Sequence, residues 1–185
     1  MDPNLMWAGI MLACVDVAYR DDGAIAGCVL FRAWSDDCPA DQMLVSEGPA
    51  APYRSGKFYL RELPPILSVL KRMKVPIETI VVDGYVWLSG NRKGLGAHLY
   101  SALGGHVAVV GVAKNPWQGG RDKQNANDPE RRTIPVTRGG SKRPLYVTSA
   151  GMDVALAANF ITGMHGRFRI PTLLGAVNSL VRSPI

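Results

Sequence analysis

Residues 12–34, LACVDVAYRDDGAIAGCVLFRAW, decide the fold of this chain. Two runs rich in Val, Ile, Cys and aromatic residues, 12–18 and 24–34, flank the polar turn Asp21-Asp22-Gly23. Apolar runs on either side of a short polar turn with glycine predict two antiparallel strands joined as a hairpin. A third strand is predicted over Gln42–Glu47, so we expect the chain to open with an antiparallel sheet.

Helices and strands alternate in the rest of the chain. Pro64-Pro65 predicts the start of a helix, because the first helical positions need no backbone donor, and apolar residues between 66 and 73 give this helix a buried face. The further predicted elements are a strand (78–83), a helix (91–103) ended by Gly104-Gly105, and a strand (106–113). A long polar loop (115–142) with room for a small hairpin follows, and then a strand (144–148) and two helices (151–164 and 170–181). This order predicts an α/β fold, a mixed β-sheet flanked by helices.

Length and composition favour one globular domain over residues 1–185. The chain has 185 residues, of which 47% are hydrophobic and 19% charged, so it is neither disordered nor fibrous. No apolar run approaches the roughly 20 residues that cross a bilayer. The first 15 residues are apolar, but Asp2 stands where a signal peptide carries basic residues, so we interpret this stretch as a first core strand.

The cysteines favour a reducing, cytoplasmic location. There are three of them, Cys14, Cys28 and Cys38, and no two are spaced as a CxxC pair. This odd count is typical of reduced thiols rather than of a disulfide framework or a structural zinc site. Cys14 and Cys28 lie inside predicted strands, where we expect them to be buried.

The chain is basic, with a net charge of +6 and a pI near 9.4, which favours polyanionic partners. Residues 121–143 hold seven basic side chains against three acids, and therefore +4 of that charge. Charge alone leaves two interpretations open, a solvated loop or a segment that contacts phosphates through residues such as Arg121, Lys142 and Arg143.

Three carboxylates stand where an acid is unexpected. Asp16 interrupts the apolar strand around it, Asp83 ends the apolar run TIVVD, and Glu62 lies next to the predicted helix start. Carboxylates clustered on a rigid frame hold the divalent ions that assist phosphodiester cleavage. Each also has an ordinary interpretation: a buried acid with satisfied hydrogen bonds for Asp16, a turn acceptor for Asp83, and a helix cap for Glu62.

Five segments of the chain resemble the endonuclease V family, in that family's order and with closely similar spacing. PY-x-x-G followed by RE before a proline pair is the most specific of these motifs, whereas GVAK and PLYV alone would be weak. The segments are VDVAY (15–19), PYRSGKFYLRELPPIL (52–67), IVVDG (80–84), GVAK (111–114) and PLYV (144–147).

This resemblance implies a ribonuclease H-like fold and an activity. Members of the family use Mg²⁺, for which Mn²⁺ can substitute, recognise inosine or deoxyinosine, and hydrolyse the second phosphodiester bond on its 3′ side. The implied partner is therefore DNA or RNA with a deaminated base, and no membrane or nucleotide cofactor is expected. The oligomeric state is not implied.

The resemblance also implies roles for individual residues. Asp16, Glu62 and Asp83 match the metal-binding acids, Tyr53 the aromatic wedge beside the altered base, and Lys114 the basic residue near the scissile phosphate. Without the resemblance, Lys114 could be a solvent-exposed lysine at a strand end, and Tyr53 an ordinary loop aromatic. Candidate nucleic-acid contacts complete the set: Arg61, Gly84, Gly111, Arg121, Lys142 and Arg143.

The chain departs from the family in several places. Ser89 and Met152 stand where the family has histidines, bulky residues 85–87 follow Asp83, and the chain begins almost directly at the first strand. Asp153 could be a fourth metal ligand on a late helix, or only an acid favoured at a helix N-terminus. The alternative function is accordingly a nucleic-acid-binding relative with weak or lost cleavage, and a protein-interaction scaffold is a third possibility. The three histidines are assigned no role.

Overall fold

The computed structural model describes residues 9–20, 23–48, 58–88, 92–117 and 131–183. Within these ranges the chain forms one seven-stranded sheet and four helices. The elements are β1 (Met11–Arg20), β2 (Gly23–Phe31), β3 (Asp41–Glu47), α1 (Tyr59–Arg72), β4 (Ile77–Asp83), α2 (Leu95–Ala102), β5 (Ala108–Ala113), β6 (Ile134–Val136), β7 (Leu145–Ala150), α3 (Val154–Gly163) and α4 (Thr172–Arg182). The predicted mixed sheet flanked by helices is confirmed.

The sheet has the strand order β3-β2-β1-β4-β5-β7-β6. The predicted hairpin is confirmed, because β1 and β2 pair antiparallel from Leu12 opposite Phe31 to Arg20 opposite Gly23. β1, β4 and β5 are parallel neighbours, and β7 pairs antiparallel with β5. β6 forms inside the predicted polar loop and pairs antiparallel with β7, so its partner strand lies outside the loop in which a small hairpin was expected.

The sheet separates two hydrophobic cores, because successive side chains of a strand point to opposite faces. In β1, Ala13 and Val15 face the core under α1 and α2, whereas Leu12 and Cys14 face the core under α3 and α4. Burial on both faces explains why the central strands are apolar almost throughout. Cys14 and Cys28 are buried as predicted.

The first helix begins earlier than predicted. α1 starts at Tyr59, so Pro64 and Pro65 lie inside it and not in its first turn. A proline has no backbone N–H, and the carbonyls of Leu60 and Arg61 therefore lack the donor that an ordinary helix supplies four residues later. Burial of its apolar face stabilises the helix despite this loss, and that face includes Pro65 itself.

The second helix is shorter than predicted. α2 begins at Leu95, and residues 89–91 lie outside the described ranges. Its end is as expected, because Gly104 and Gly105 follow with φ values of 71° and 74°. None of the helices formed by the described residues is both long and apolar enough to cross a membrane.

Gly111 sits at a crowded backbone position of β5. A Cβ atom there would lie 2.6 Å from the carbonyl oxygen of Gly84 and 2.7 Å from the backbone nitrogen of Val86. The segment that follows β4 therefore passes directly over β5, and only a residue without a side chain allows this approach.

We expect Gly111→Ala to lower the free energy of unfolding by about 2–3 kcal/mol, because backbone atoms on two segments would have to move apart. Gly175→Ala is the matched control, since Gly175 lies in α4 with no atom within 4 Å of an added Cβ. That change should stabilise the protein by about 0.5–1 kcal/mol. Urea denaturation of both variants measures the difference, and equal effects would contradict the crowding of Gly111.

Candidate active site

Asp16 and Asp83 lie side by side on two parallel strands. Val15 of β1 pairs with Val82 of β4, so the two aspartates take the next positions along neighbouring strands. Each follows by two residues a side chain in the core under α3 and α4, namely Cys14 and Val81, and both acids therefore point to that face. Neighbouring strands are about 4.8 Å apart, so the two carboxylates are close neighbours.

Glu62 reaches the same edge of the sheet from the other face. It lies in the first turn of α1, which packs against β1 and β2. Burial raises the pKa of Glu62, and the negative charges of Asp16 and Asp83 raise it further, to about 8. This electrostatic coupling indicates that the three carboxylates predicted from the sequence share one region of the protein.

Asn178 holds Asp16 in place and was missed by the sequence analysis. Its side-chain amide donates a hydrogen bond of 2.8 Å to Asp16 Oδ2, and the backbone N–H of Val17 donates one of 2.9 Å to Oδ1. Burial raises the pKa of Asp16, and these hydrogen bonds oppose that shift. Asn178 could have been noticed as the polar member of the otherwise apolar stripe that includes Leu174 and Val181 on α4.

Lys114 forms an ion pair with Asp83. Its Nζ donates to Asp83 Oδ2, and both side chains remain partly exposed. The backbone of Lys114 is anchored as well, because the guanidinium of Arg169 donates to the carbonyl oxygen of Lys114 and, at 2.7 Å, to that of Pro144. The end of β5 is thus tied to the start of β7, and Lys114 is fixed beside the acids.

The donor set fits a hard divalent cation. Three carboxyl groups, Asp16, Glu62 and Asp83, outnumber the cations that act on them, Lys114 and Arg61, and oxygen ligands of this kind suit Mg²⁺ or Mn²⁺. Among the described residues, no three His, Cys, Asp or Glu side chains are already grouped as a metal-holding cluster. Coordination by Asp16, Glu62 and Asp83 therefore stays a prediction.

A pocket of about 360 Å³ opens beside Glu62 and Asp83. Its volume is within the range of small-molecule sites. The hydroxyl of Tyr85 donates to the carbonyl oxygen of Asn115 at 2.8 Å, which holds this ring in the pocket wall. Aromatic and cationic side chains dominate the lining: Phe58, Tyr59, Tyr85, Arg92, Lys93 and Trp117. Such a lining can stack on a planar group and donate to its carbonyl oxygens.

The other predicted contacts are distributed around this edge. Gly84 lines the pocket, and the guanidinium of Arg61 lies 4.1 Å from the ring centroid of Tyr19. Lys142 and Arg143 are exposed in the loop before β7. Three positions named from the sequence, Tyr53, Ser89 and Arg121, lie outside the described residues.

Asp153 lies at the opposite end of the sheet from Asp83. Ala150, at the end of β7, pairs with Val109 near the start of β5, whereas Asp83 pairs with Val112. The Asp153 carboxylate accepts a hydrogen bond of 2.9 Å from the backbone N–H of Leu156 and caps α3. Of the two interpretations of Asp153, the structure supports the helix cap.

Met152 is also remote from the acids. It lines a second pocket, of about 450 Å³, with Trp87 and Tyr100. The indole N–H of Trp87 donates to the carbonyl oxygen of Ser149 at 2.9 Å. Of the bulky residues that follow Asp83, Tyr85 therefore shapes the pocket beside the acids and Trp87 shapes this second one.

Comparison with known proteins identifies the family. A family model described as Endonuclease V matches residues 4–174 of the chain. The chain belongs to the endonuclease V family. This is a family of nucleases, and the ribonuclease H-like fold expected from the sequence is confirmed.

Relatives and solved structures agree with this assignment. The endonuclease V of Streptomyces avermitilis is 30% identical over 182 residues, which cover 91% of this chain and 77% of the relative. The crystal structure of endonuclease V from the same organism has a TM-score of 0.71, with 25% identity over 94% of this chain and 81% of that one. An endonuclease V from Ciona intestinalis, solved with a 23mer DNA containing an inosine, has a TM-score of 0.75 at 18% identity and covers 93% and 83% of the two chains.

The raised pKa of Glu62 predicts a pH-dependent stability. The folded state binds this proton more tightly than the unfolded chain, where the pKa is 4.5, so the free energy of unfolding of metal-free protein falls as pH rises from about 4.5 to about 8. Glu62→Gln cannot ionise and should have the higher melting temperature at pH 8. Thermal melts in EDTA at pH 5 and pH 8 test this.

The control for these melts is Glu78→Gln, which removes an exposed carboxylate at the start of β4. It should keep the wild-type dependence on pH. If the melting temperature of Glu62→Gln depended on pH as that of wild type does, the raised pKa of Glu62 would be contradicted.

Asn178→Asp would place a further carboxylate against Asp16. We expect this variant to be about 1–3 kcal/mol less stable than wild type without metal at pH 7.5, because it loses a donor and gains a like charge. Added Mg²⁺ should raise its melting temperature more than that of wild type. Asn178→Ala, which loses the donor without adding charge, is the control, and equal Mg²⁺ effects in all three proteins would contradict a cation site at Asp16.

Proposed function

We propose that this protein is a divalent-metal-dependent endonuclease that hydrolyses a phosphodiester bond 3′ to a deaminated base, inosine or deoxyinosine, in DNA or RNA. One observation carries the proposal. Asp16, Glu62, Asp83 and Lys114 meet at one edge of the sheet, beside an aromatic pocket, in a chain of the endonuclease V family.

Asp16, Glu62 and Asp83 would hold Mg²⁺, for which Mn²⁺ can substitute. Bound there, the ion would supply activation of the attacking water and neutralisation of charge on the phosphate. The hydrogen bond from Asn178 keeps one oxygen of Asp16 in a fixed orientation for this task.

Lys114 would stabilise the charge that develops on the phosphate during attack. Its ammonium already lies at the acids, and Arg169 fixes the strand end that carries it, so little reorganisation is needed when the substrate binds. Tyr53 would separate the altered base from its neighbour. Phosphate contacts would come from basic residues around the site, namely Arg61, Arg121, Lys142 and Arg143.

The pocket beside Glu62 and Asp83 suits a deaminated purine. Deamination replaces the amino group of adenine, a donor, by a carbonyl oxygen, an acceptor. Arg92 in the pocket wall has only donors, and it would favour the carbonyl form over adenine. The inosine in the DNA bound by the Ciona intestinalis relative supports the same substrate class.

Cleavage of labelled oligonucleotides tests the proposal. Wild-type protein with Mg²⁺ should cut inosine-containing strands and leave matched adenosine strands intact. Asp16→Asn and Asp83→Asn should each reduce cleavage at least about 100-fold, and Lys114→Ala about 100- to 1,000-fold. Asp153→Asn is the matched control, because asparagine caps a helix as well as aspartate does, and it should retain activity within about threefold.

A different outcome would favour the alternative function. If wild type and Asp16→Asn bind inosine-containing strands equally, with affinity that falls as salt rises, and neither cuts them, the protein is a nucleic-acid-binding relative without cleavage. Ser89, which replaces a family histidine, would then be the first position to restore, because Met152 is remote from the acids.

A further inference from the structure

Positive charge is concentrated in the last part of the chain. Residues 131–185 contain eight Arg or Lys side chains and a single acid, Asp153, whereas the whole chain has a net charge of only +6. The first 130 residues therefore carry a slight negative charge. Since Asp153 is at the far end of the sheet, the basic residues near the candidate active site have no acid of this segment beside them.

Two loops of this basic segment lie at the edge of the sheet where the acids meet. One precedes β7, whose second residue, Tyr146, pairs with Ala113. The other joins α3 to α4 and contains Arg169, which donates to the carbonyl oxygens of Lys114 and Pro144. We call residues 138–143 and 165–169 together the basic platform.

Arg138 locks the two halves of the basic platform together. Its side chain is only 8% exposed, and its guanidinium donates to the carbonyl oxygens of Phe168 at 2.9 Å, Gly166 at 3.1 Å and Met164. Gly139, with a φ of 61°, packs so closely that an added Cβ would lie 2.3 Å from the backbone of Phe168. The hydrogen bonds of Arg138 and the close packing of Gly139 therefore fix the backbone of the basic platform.

The side chains above this backbone point to solvent. Lys142, Arg143 and Arg167 are exposed. Phe168 is 65% exposed, the largest fraction of any large apolar side chain among the described residues. The guanidinium of Arg167 lies 5.0 Å from the centroid of its ring. A rigid backbone thus presents a bare aromatic ring surrounded by positive charge.

We propose that the basic platform binds single-stranded nucleic acid, with an unpaired base stacked on Phe168 and backbone phosphates on Lys142, Arg143 and Arg167. An exposed ring beside cations is the arrangement with which proteins bind single strands, because every base has a face for stacking. A duplex would offer its phosphates to the same cations but would keep its bases stacked on each other. The inference rests on the proposed function, since the bound strand leads to the candidate active site.

Binding without cleavage tests the platform directly. Full-length protein in EDTA is titrated into a fluorescent oligothymidylate of about 15 nucleotides, and into a duplex of equal length, with anisotropy as the readout. Phe168→Ala should weaken single-strand binding roughly 5- to 100-fold and duplex binding less than about twofold. Phe168→Trp should retain single-strand affinity.

The cations are tested through the dependence of affinity on salt. For the single strand, Arg167→Ala should lower the slope of log affinity against log salt by about 0.7, as expected for one lost phosphate contact. Two control substitutions lie at the opposite end of the sheet. Leu156→Ala removes an exposed apolar side chain, as Phe168→Ala does, and Arg72→Ala removes a positive charge, as Arg167→Ala does. Both should bind like wild type.

The proposal is overturned if Phe168→Ala binds the single strand as tightly as wild type, or loses single-strand and duplex affinity equally. Its failure is distinguishable from failure of the nuclease function. If wild type cuts inosine-containing strands and Phe168→Ala has an unchanged KM, strand binding by the basic platform is refuted and the nuclease function is supported. If single-strand binding depends on Phe168 but wild type cuts nothing, strand binding by the basic platform is supported and the nuclease function is refuted.

Discussion

Burial of Asp16 beside Asp83 is the constraint around which the site is organised. Parallel pairing of β1 with β4 places the two acids at adjacent positions on one face, partly removed from water. Two like charges in such surroundings are costly unless donors or cations offset them. Asn178 and Lys114 supply part of this compensation within the chain, and the proposed metal ion would supply the rest.

The site is built from both layers of the fold. α1 brings Glu62 over the edge from one face of the sheet, and α4 brings Asn178 to Asp16 from the other. The loop before α4 is tied down by Arg169, which donates a hydrogen bond to the carbonyl oxygen of Lys114. The strand order of the sheet therefore brings Glu62, Lys114 and Asn178 to one site although they are far apart in sequence. A different strand order would separate them.

The central strands and the acids could be predicted from the sequence because an acid inside an apolar strand conflicts with its surroundings. Asp16 and Asp83 stand out for that reason, and the proline pair pointed to the helix of Glu62. The start of α1 could not be predicted, because prolines normally mark a first turn and here tertiary packing retains them further inside. The roles of Asn178 and Arg138 could not be predicted from the sequence, since they depend on contacts with residues 162 and 26–31 positions away.

The prolines within α1 have a consequence for Glu62. Because Leu60 and Arg61 lack their usual partners at Pro64 and Pro65, the turn that carries Glu62 is joined to the rest of the helix by fewer hydrogen bonds than a regular helix would provide. In the proposed metal site, Glu62 would therefore be the ligand on the less firmly hydrogen-bonded backbone, opposite two carboxylates on strands of the sheet.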